Sequence, residues 1–409
     1  MKKISRRDFL KAGSGTIITL STADLFFGCA DSHSSGSDDT PDTIQDNDVD
    51  VYRRLQIALD TIPNGFPASP DGTELRILRK IFLPEEADLF CDLRLTFETA
   101  LQISERTGRP MGDLESMLVA MTQKGQIYGI KYDDAYWFHM IPWMIGLFMT
   151  QRSRQDQEFH DLVARYRPIY GRQLISYPPQ LLKIVPISKT IPAEQQPLPY
   201  QDVASIIENG VEFYVRECVC KKENARQGHP CSKPTDVCLQ INAIPDTTLI
   251  SGALLSSREI SKEEAYQILD QAEEAGLVHM SSNVQAGNAF ICNCCACCCL
   301  WLSGIEDSPF VANIVNSPYF ADIDPDLCQQ CGICLLERCP AGAIEEGEES
   351  YQVNQKQCIG CGLCVTTCPT SAAALVHKPE SAITPVPFDM EEWNDLRAAS
   401  RGVDYSKYK

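Results

Sequence analysis

Two cysteine repeats near the C-terminus carry the clearest chemistry in this sequence. In each repeat two residues separate each of the first three cysteines, and the fourth cysteine stands directly before a proline. The repeats consist of Cys328, Cys331, Cys334 and Cys339, and of Cys358, Cys361, Cys364 and Cys368. Three thiolates on one tight loop can bind three irons of a cubane. The pattern therefore predicts two [4Fe-4S] clusters.

Zinc is the alternative metal for these cysteines, because pairs with C-x-x-C spacing also bind zinc. Two zinc knuckles would leave unexplained why triplets, rather than pairs, occur twice and why each is followed by a Cys-Pro step. The spacing over residues 322–374 therefore favours iron-sulfur clusters over zinc.

The same stretch resembles the bacterial 2[4Fe-4S] ferredoxins, down to Gly332 and Gly362 after the second cysteines and the Cys-Pro-x-x-Ala ending of each repeat. The resemblance implies a βαββαβ module over residues 316–378 and crossed ligation, in which each fourth cysteine binds the cluster of the other repeat. The implied ligand sets are Cys328, Cys331, Cys334 and Cys368 for one cluster, and Cys358, Cys361, Cys364 and Cys339 for the other. One departure is an extra residue between the third and fourth cysteines of the first repeat, which we expect to lengthen the helical turn there.

Ten further cysteines lie upstream in two groups and predict another metal site. The first group, with C-x-C-x10-C-x6-C spacing, is Cys218, Cys220, Cys231 and Cys238, and the second is Cys292, Cys294, Cys295, Cys297, Cys298 and Cys299. Because side chains alternate along a strand, adjacent cysteines of the second group cannot all face one metal. We expect the first group, joined by members of the second, to bind a third iron-sulfur cluster or zinc, with His229 supporting the site without being a ligand.

The two upstream groups combined with a C-terminal dicluster resemble a set of ferredoxin-like proteins from anaerobic bacteria. This resemblance implies an iron-sulfur protein and brings no particular reaction with it. The sequence contains no Gly-rich nucleotide loop, no acyl-transfer triad and no flavin fingerprint. No catalytic residue is therefore assigned from sequence.

The net charge of −19 and the pI near 4.8 argue against nucleic acid as a partner, because phosphates require a basic surface. An acidic surface instead suits docking onto the basic patch of a redox protein. With 409 residues, the chain is long enough for two or three domains.

The N-terminus predicts export to the periplasm. Residues 5–11 match the twin-arginine translocation signal, and the apolar stretch at 12–27 is too short and too rich in Ser, Thr and Gly to span a membrane. Clusters are assembled in the cytoplasm, so an exported cluster protein has to cross already folded, which the twin-arginine route permits. Cys29 follows a small residue, so lipid attachment at Cys29, with membrane anchoring, is an alternative to cleavage and release.

The composition divides the chain into segments of an α+β protein. We expect a signal peptide at 1–29, a disordered tether at 30–50, a helical domain at 51–183, a Pro-rich linker at 184–200, a cysteine-rich domain at 201–315, the ferredoxin module at 316–378 and a tail at 379–409. The helices expected up to Lys124, followed by Gly125 and a strand, have the outline of a winged-helix unit. Acidity and export favour a packing or docking role for that unit over DNA binding.

Together these patterns predict an exported iron-sulfur protein that transfers electrons to and from redox partner proteins that the sequence does not identify. Two alternatives stay open. One is an exported reductase whose catalytic metal centre lies in the cysteine-rich middle and is fed by the ferredoxin clusters. The other is a metal-binding or sensor protein that uses the extra cysteines.

Overall fold

The computed structural model describes residues 46–151, 156–186, 202–242, 244, 247–250, 257–308 and 311–409, with side chains from Val51 onwards. The expected signal peptide, the lipidation residue Cys29, most of the tether and most of the Pro-rich linker lie outside the described residues. The described part mixes helices and strands, which confirms the α+β class. None of its helices is long and apolar enough to cross a membrane.

The N-terminal part is mostly helical, as expected. Its helices are α1 (Asp46–Thr61), α2 (Thr73–Ile81), α3 (Pro84–Phe90), α4 (Ala100–Thr107), α5 (Leu114–Gln123), α6 (Phe148–Thr150) and α7 (Gln157–Ser176). In α1, Tyr52, Leu55 and Leu59 repeat at helical spacing and are all buried in the largest core. This helix begins at Asp46, inside the segment expected as a tether.

A hairpin follows α5, in the order that the sequence suggested. Its strands β1 (Ile127–Tyr132) and β2 (Ala135–Met140) pair antiparallel, and β6 (Thr247–Leu249) from the middle region pairs with β1 on the other side. Helices followed by strands are therefore present, while the finer winged-helix outline stays a prediction.

The largest sheet among the described residues has seven strands, which lie in the order β10-β3-β8-β9-β5-β4-β7. Its strands are β3 (Leu182–Ile184), β4 (Glu212–Glu217), β5 (Asp236–Asn242), β7 (Arg258–Ile260), β8 (Val278–Ser282), β9 (Phe290–Cys294) and β10 (Val315–Asn316). The helices of this region are α8 (Val203–Glu208), α9 (Val219–Arg226), α10 (Lys262–Glu274) and α11 (Val311–Ile314). The sheet crosses the domain boundary expected at 184–200, because β3 precedes that boundary and finds its partners β8 and β10 beyond it.

The C-terminal module has the expected strand and helix order. It consists of β11 (Tyr319–Ile323), a π-helical turn (Ile333–Arg338), β12 (Ile344–Glu346), β13 (Tyr351–Val353), α12 (Leu363–Thr366) and β14 (Ala373–His377). The outer strands β11 and β14 pair antiparallel, as do the inner strands β12 and β13. The extra residue of the first repeat is absorbed in the wide π-helical turn, in which Cys339 N donates to Cys334 O.

Residues 379–409 do not form the tail that the sequence suggested. They contain α13 (Met390–Arg401), which begins at the capping carboxylate of Asp389. Trp393 and Arg397 are fully buried, and they donate to Gln180 O at 2.9 Å and to Leu174 O at 2.8 Å. The segment is part of the core because this helix covers the end of α7 and the start of β3.

Candidate metal centres

Four cysteines of the C-terminal module line one small pocket. They are Cys339, Cys358, Cys361 and Cys364, and the remaining wall is mostly apolar. Cys339 comes from the first repeat and the other three come from the second. The structure thus brings together the four residues that crossed ligation implies for the second cluster.

Backbone geometry positions these thiols. Gly360 has φ +64°, and a Cβ added there would lie 2.3 Å from Tyr319 O, so only glycine lets this loop approach β11 so closely. That approach allows Ala321 N to donate to Cys358 Sγ at 3.3 Å, and Ala343 N donates to Cys339 Sγ at 3.2 Å. Such N–H donors stabilise negative charge on the sulfurs.

The four-thiol cavity fits a metal cluster in the chemistry of its donor set. Burial raises the pKa of Cys361 to about 12, and it also raises the pKa of Cys364 well above its ordinary value. In Cys364 the neighbouring Cys361, Cys358 and Cys339 raise the pKa further. Thiolates this close together in an apolar site need the positive charge of metal ions to hold them.

The first triplet lies closer to solvent. Cys331 is exposed, while Cys328 and Cys334 are half-buried. Burial and the nearby Cys331 and Cys328 raise the pKa of Cys334. Cys368 packs with Cys328 and Cys334 against the same small core, and its ligation of the first cluster stays a prediction.

Four cysteines of the middle region form a compact set, here called the outer group. They are Cys231, Cys295, Cys297 and Cys298, whose Sγ atoms all lie within 4.8 Å of one another. The Sγ of Cys231 lies 3.8 Å from that of Cys295 and 3.7 Å from that of Cys297. Four thiolates bound to one zinc at about 2.3 Å in a tetrahedron are separated by about 3.8 Å. The spacing of the outer group therefore fits a single tetrahedral ion.

The other six cysteines of the middle region, here called the inner group, lie at the start of α9, on β5 and β9, and in the turn after β9. They are Cys218, Cys220, Cys238, Cys292, Cys294 and Cys299. Leu239 pairs with Ile291 across β5 and β9, and this antiparallel register brings Cys238 next to Cys292. Cys292 and Cys294 share one face of β9 because strand side chains alternate. Sheet pairing therefore assembles this group.

The expected ligand set Cys218, Cys220, Cys231 and Cys238 is divided between these two groups, because Cys231 lies with the outer thiols. Beyond the alternation of side chains along β9, no pattern in the sequence indicates this division. His229 is absent from the metal-ligand set found among the described residues. Its carbonyl instead accepts from Asn224 Nδ2 at 3.0 Å, and the same amide lies 3.4 Å from Cys298 Sγ.

The middle region lies directly against the C-terminal module. Arg338, just before Cys339, donates to the carbonyl oxygens of Glu273 and Glu274 at 2.8 Å and 2.9 Å. Gln357, just before Cys358, donates to Ile305 O at 2.6 Å. Since Ile305 lies six residues after Cys299, this contact joins the segment that follows the inner group to the second repeat.

Comparison with known proteins assigns the C-terminal module. Residues 321–377 match the 4Fe-4S dicluster domain. The chain is 46% identical over 66 residues to ferredoxin 7Fe of Hydrogenibacillus schlegelii, covering 16% of this chain and 72% of that protein. It is 31% identical over 105 residues to hydrogenase-4 component A of Escherichia coli (strain K12), covering 24% of this chain and 50% of that protein.

A third relative is the NADH-dependent phenylglyoxylate dehydrogenase subunit delta of Aromatoleum evansii, 40% identical over 47 residues, or 12% of this chain and 50% of that protein. The chain thus spans about half the length of the hydrogenase and dehydrogenase components that it matches. No solved structure matches the chain. Through its C-terminal dicluster module, this chain belongs to the ferredoxin family of iron-sulfur proteins.

Proposed function

We propose that this protein is an exported electron carrier that relays single electrons through two [4Fe-4S] clusters bound by its eight repeat cysteines. The observation that carries this proposal is the cavity walled by Cys339, Cys358, Cys361 and Cys364, which joins both repeats in one site. Relatives named as a hydrogenase component and a dehydrogenase subunit support an electron-transfer role.

A bound [4Fe-4S] cluster supplies reversible one-electron chemistry in which no bond to the protein is made or broken. The residues of this chain set the energy of that step. Ala321 N and Gly360 N both donate to Cys358 Sγ, at 3.3 Å and 3.4 Å. The Lys378 ammonium acts on the same thiol by its charge. These groups favour the reduced, more negative state and therefore raise the reduction potential of the second cluster.

We propose that electrons enter or leave on the side of the first triplet, which is nearer to solvent. Cys331 is exposed there, and the neighbouring Leu327 and Leu336 are 47% and 80% exposed. Glu337 and Glu345 are also exposed in this module. An apolar centre with an acidic rim suits a redox protein whose docking surface has a basic rim. Leu336→Asp should slow electron exchange with such a partner and leave the iron content unchanged.

The decisive experiment is iron and sulfide analysis of the whole protein purified without oxygen, combined with an EPR-monitored redox titration. We expect the repeats to contribute about eight irons and two one-electron reductions. Cys361→Ser should remove one of the two EPR signals. Cys91→Ser is the matched control, because Cys91 is buried and lies outside the repeats and both middle groups. Zinc in place of iron at the repeats, with no reducible centre, would refute the proposal.

Export is proposed from residues 5–11 alone, and it has a separate test. Replacing Arg6 and Arg7 together by Lys should retain the protein in the cytoplasm, as judged by cell fractionation. Cys29→Ala should release the protein from membranes if lipid anchors it, and should change nothing if the signal is simply cleaved. Unchanged periplasmic accumulation of the double-lysine variant would contradict the twin-arginine route.

A second candidate is an exported reductase whose catalytic metal lies in the middle region. It is favoured by the contacts of Arg338 and Gln357, which hold the middle region against the dicluster module. In that case Cys297→Ser should abolish reoxidation of the reduced protein by a substrate while both dicluster potentials stay unchanged. A carrier without such a centre would be reoxidised at an unaltered rate.

A further inference from the structure

We propose that the inner group binds a polynuclear metal-thiolate centre, in which six thiolates surround more than one soft metal ion, separate from the single-ion site of the outer group. The ten middle cysteines would then hold two centres of different kinds.

The six inner thiols form a continuous series of neighbours. Cys218 is in hydrogen-bonding contact with Cys220 and Cys238, and Cys238 is in contact with Cys292. Cys294 is in contact with Cys292 and Cys299. Cys299 also lies near enough to Cys220 for their charges to interact. Residues far apart in the sequence thus place six sulfurs around one space.

The space among the six inner thiols is too wide for a single ion to contact all of them. Among the described residues, the outer group is the one set of three or more possible ligands whose donor atoms all lie within 4.8 Å of one another. The inner thiols therefore touch their neighbours without closing on a common point. A tetrahedral ion accepts four thiolates, so six around a wider space require bridging thiolates or a cluster with several metal ions.

The surroundings suit a buried anionic centre. Cys218, Cys238, Cys294 and Cys299 are each no more than 6% exposed. Lys221 acts by its charge on Cys218, and Arg216 acts in the same way on Cys292. Trp301, two residues after Cys299, is buried, and its indole Nε1 finds no acceptor among the described residues.

The test compares metal contents of three variants of the full chain, purified without oxygen and analysed for iron, zinc and sulfide. Cys292→Ser removes an inner thiol, Cys297→Ser removes an outer thiol, and Cys91→Ser is the control. We expect Cys292→Ser to lose about two or more metal ions per chain and to keep the outer ion. We expect Cys297→Ser to lose about one ion and the control to lose none. Iron with sulfide and zinc without sulfide distinguish the two possible kinds of centre.

Loss of a single ion from Cys292→Ser, or loss of the same ion from both variants, would overturn the proposal. A second measurement covers failure of Cys292→Ser to fold. Native wild-type protein is treated with iodoacetamide before and after a chelator, and its labelled cysteines are mapped by mass spectrometry. The six inner thiols should become labelled only after metal removal, whereas three disulfides among them would refute the centre. Either failure would leave the proposed electron transfer through the dicluster intact, because its ligands are other cysteines.

Discussion

The two cysteine-rich regions of this molecule assemble their sites in opposite ways. In the C-terminal module three of the four predicted ligands of each cluster lie on one loop, and the glycines at 360 and 362 shape the second loop. In the middle region the thiols come from β5, β9, α9 and the turns between them, and strand register decides which of them meet. The arrangement in the C-terminal module is local, because it depends on short loops. The arrangement in the middle region depends on the whole fold.

This difference predicts how each region responds when it is perturbed. A site built from one or two loops needs those loops and little else. A site built from a sheet needs the sheet and every element that stabilises it. Here the sheet also includes β3, which precedes the linker, and α13 packs beside it through the Trp393–Gln180 contact. The metal sites of the middle region should therefore lose their metal before the dicluster does when the core is destabilised.

The largest expected effect tests crossed ligation. Cys339→Ser lies in the first repeat but should remove the same cluster as Cys361→Ser, because both thiols line one cavity. Each variant should lose about four irons and the same EPR signal. Cys331→Ser should lose the other signal. If Cys339→Ser removed the signal that Cys331→Ser removes, ligation would be within each repeat and the crossed arrangement would be wrong.

The second effect separates the two regions by their dependence on the core. Trp393→Ala empties a buried site on α13 and should lower the free energy of unfolding by about 3–5 kcal/mol. In urea the middle region of this variant should release its metal at a lower concentration than the dicluster releases iron. Leu396→Ala, on the same helix and 48% exposed, is the control and should change stability by no more than about 0.5 kcal/mol. Simultaneous release of all metal would show that the two regions unfold as one.

The sequence was informative where ligation is local. The repeat spacing predicts the eight dicluster ligands, and the resemblance to the 2[4Fe-4S] ferredoxins implied the βαββαβ order that the structure has. It could not separate Cys231 from Cys218 and Cys238, because that separation depends on which strand pairs with β5. The sequence also did not predict the packing of α13. Its contact with Gln180 joins residues that are far apart in the chain, and no local pattern indicates it.

The smallest effect tests whether strand register holds the inner group. Asn293 lies between Cys292 and Cys294 on the opposite face of β9, where it is fully buried, contacts His279 and donates to Val237 O at 2.6 Å. Asn293→Ala breaks both contacts and should lower the free energy of unfolding by about 1–3 kcal/mol. Because the Val237 contact fixes β9 beside the strand that carries Cys238, the metal content of the inner group should fall while dicluster iron stays constant.

Asn209→Ala, at an exposed site whose side chain donates to Ser205 O, is the control. An unchanged inner-group metal content in a destabilised Asn293→Ala protein would mean that the thiols themselves, rather than the register of β5 and β9, define that site.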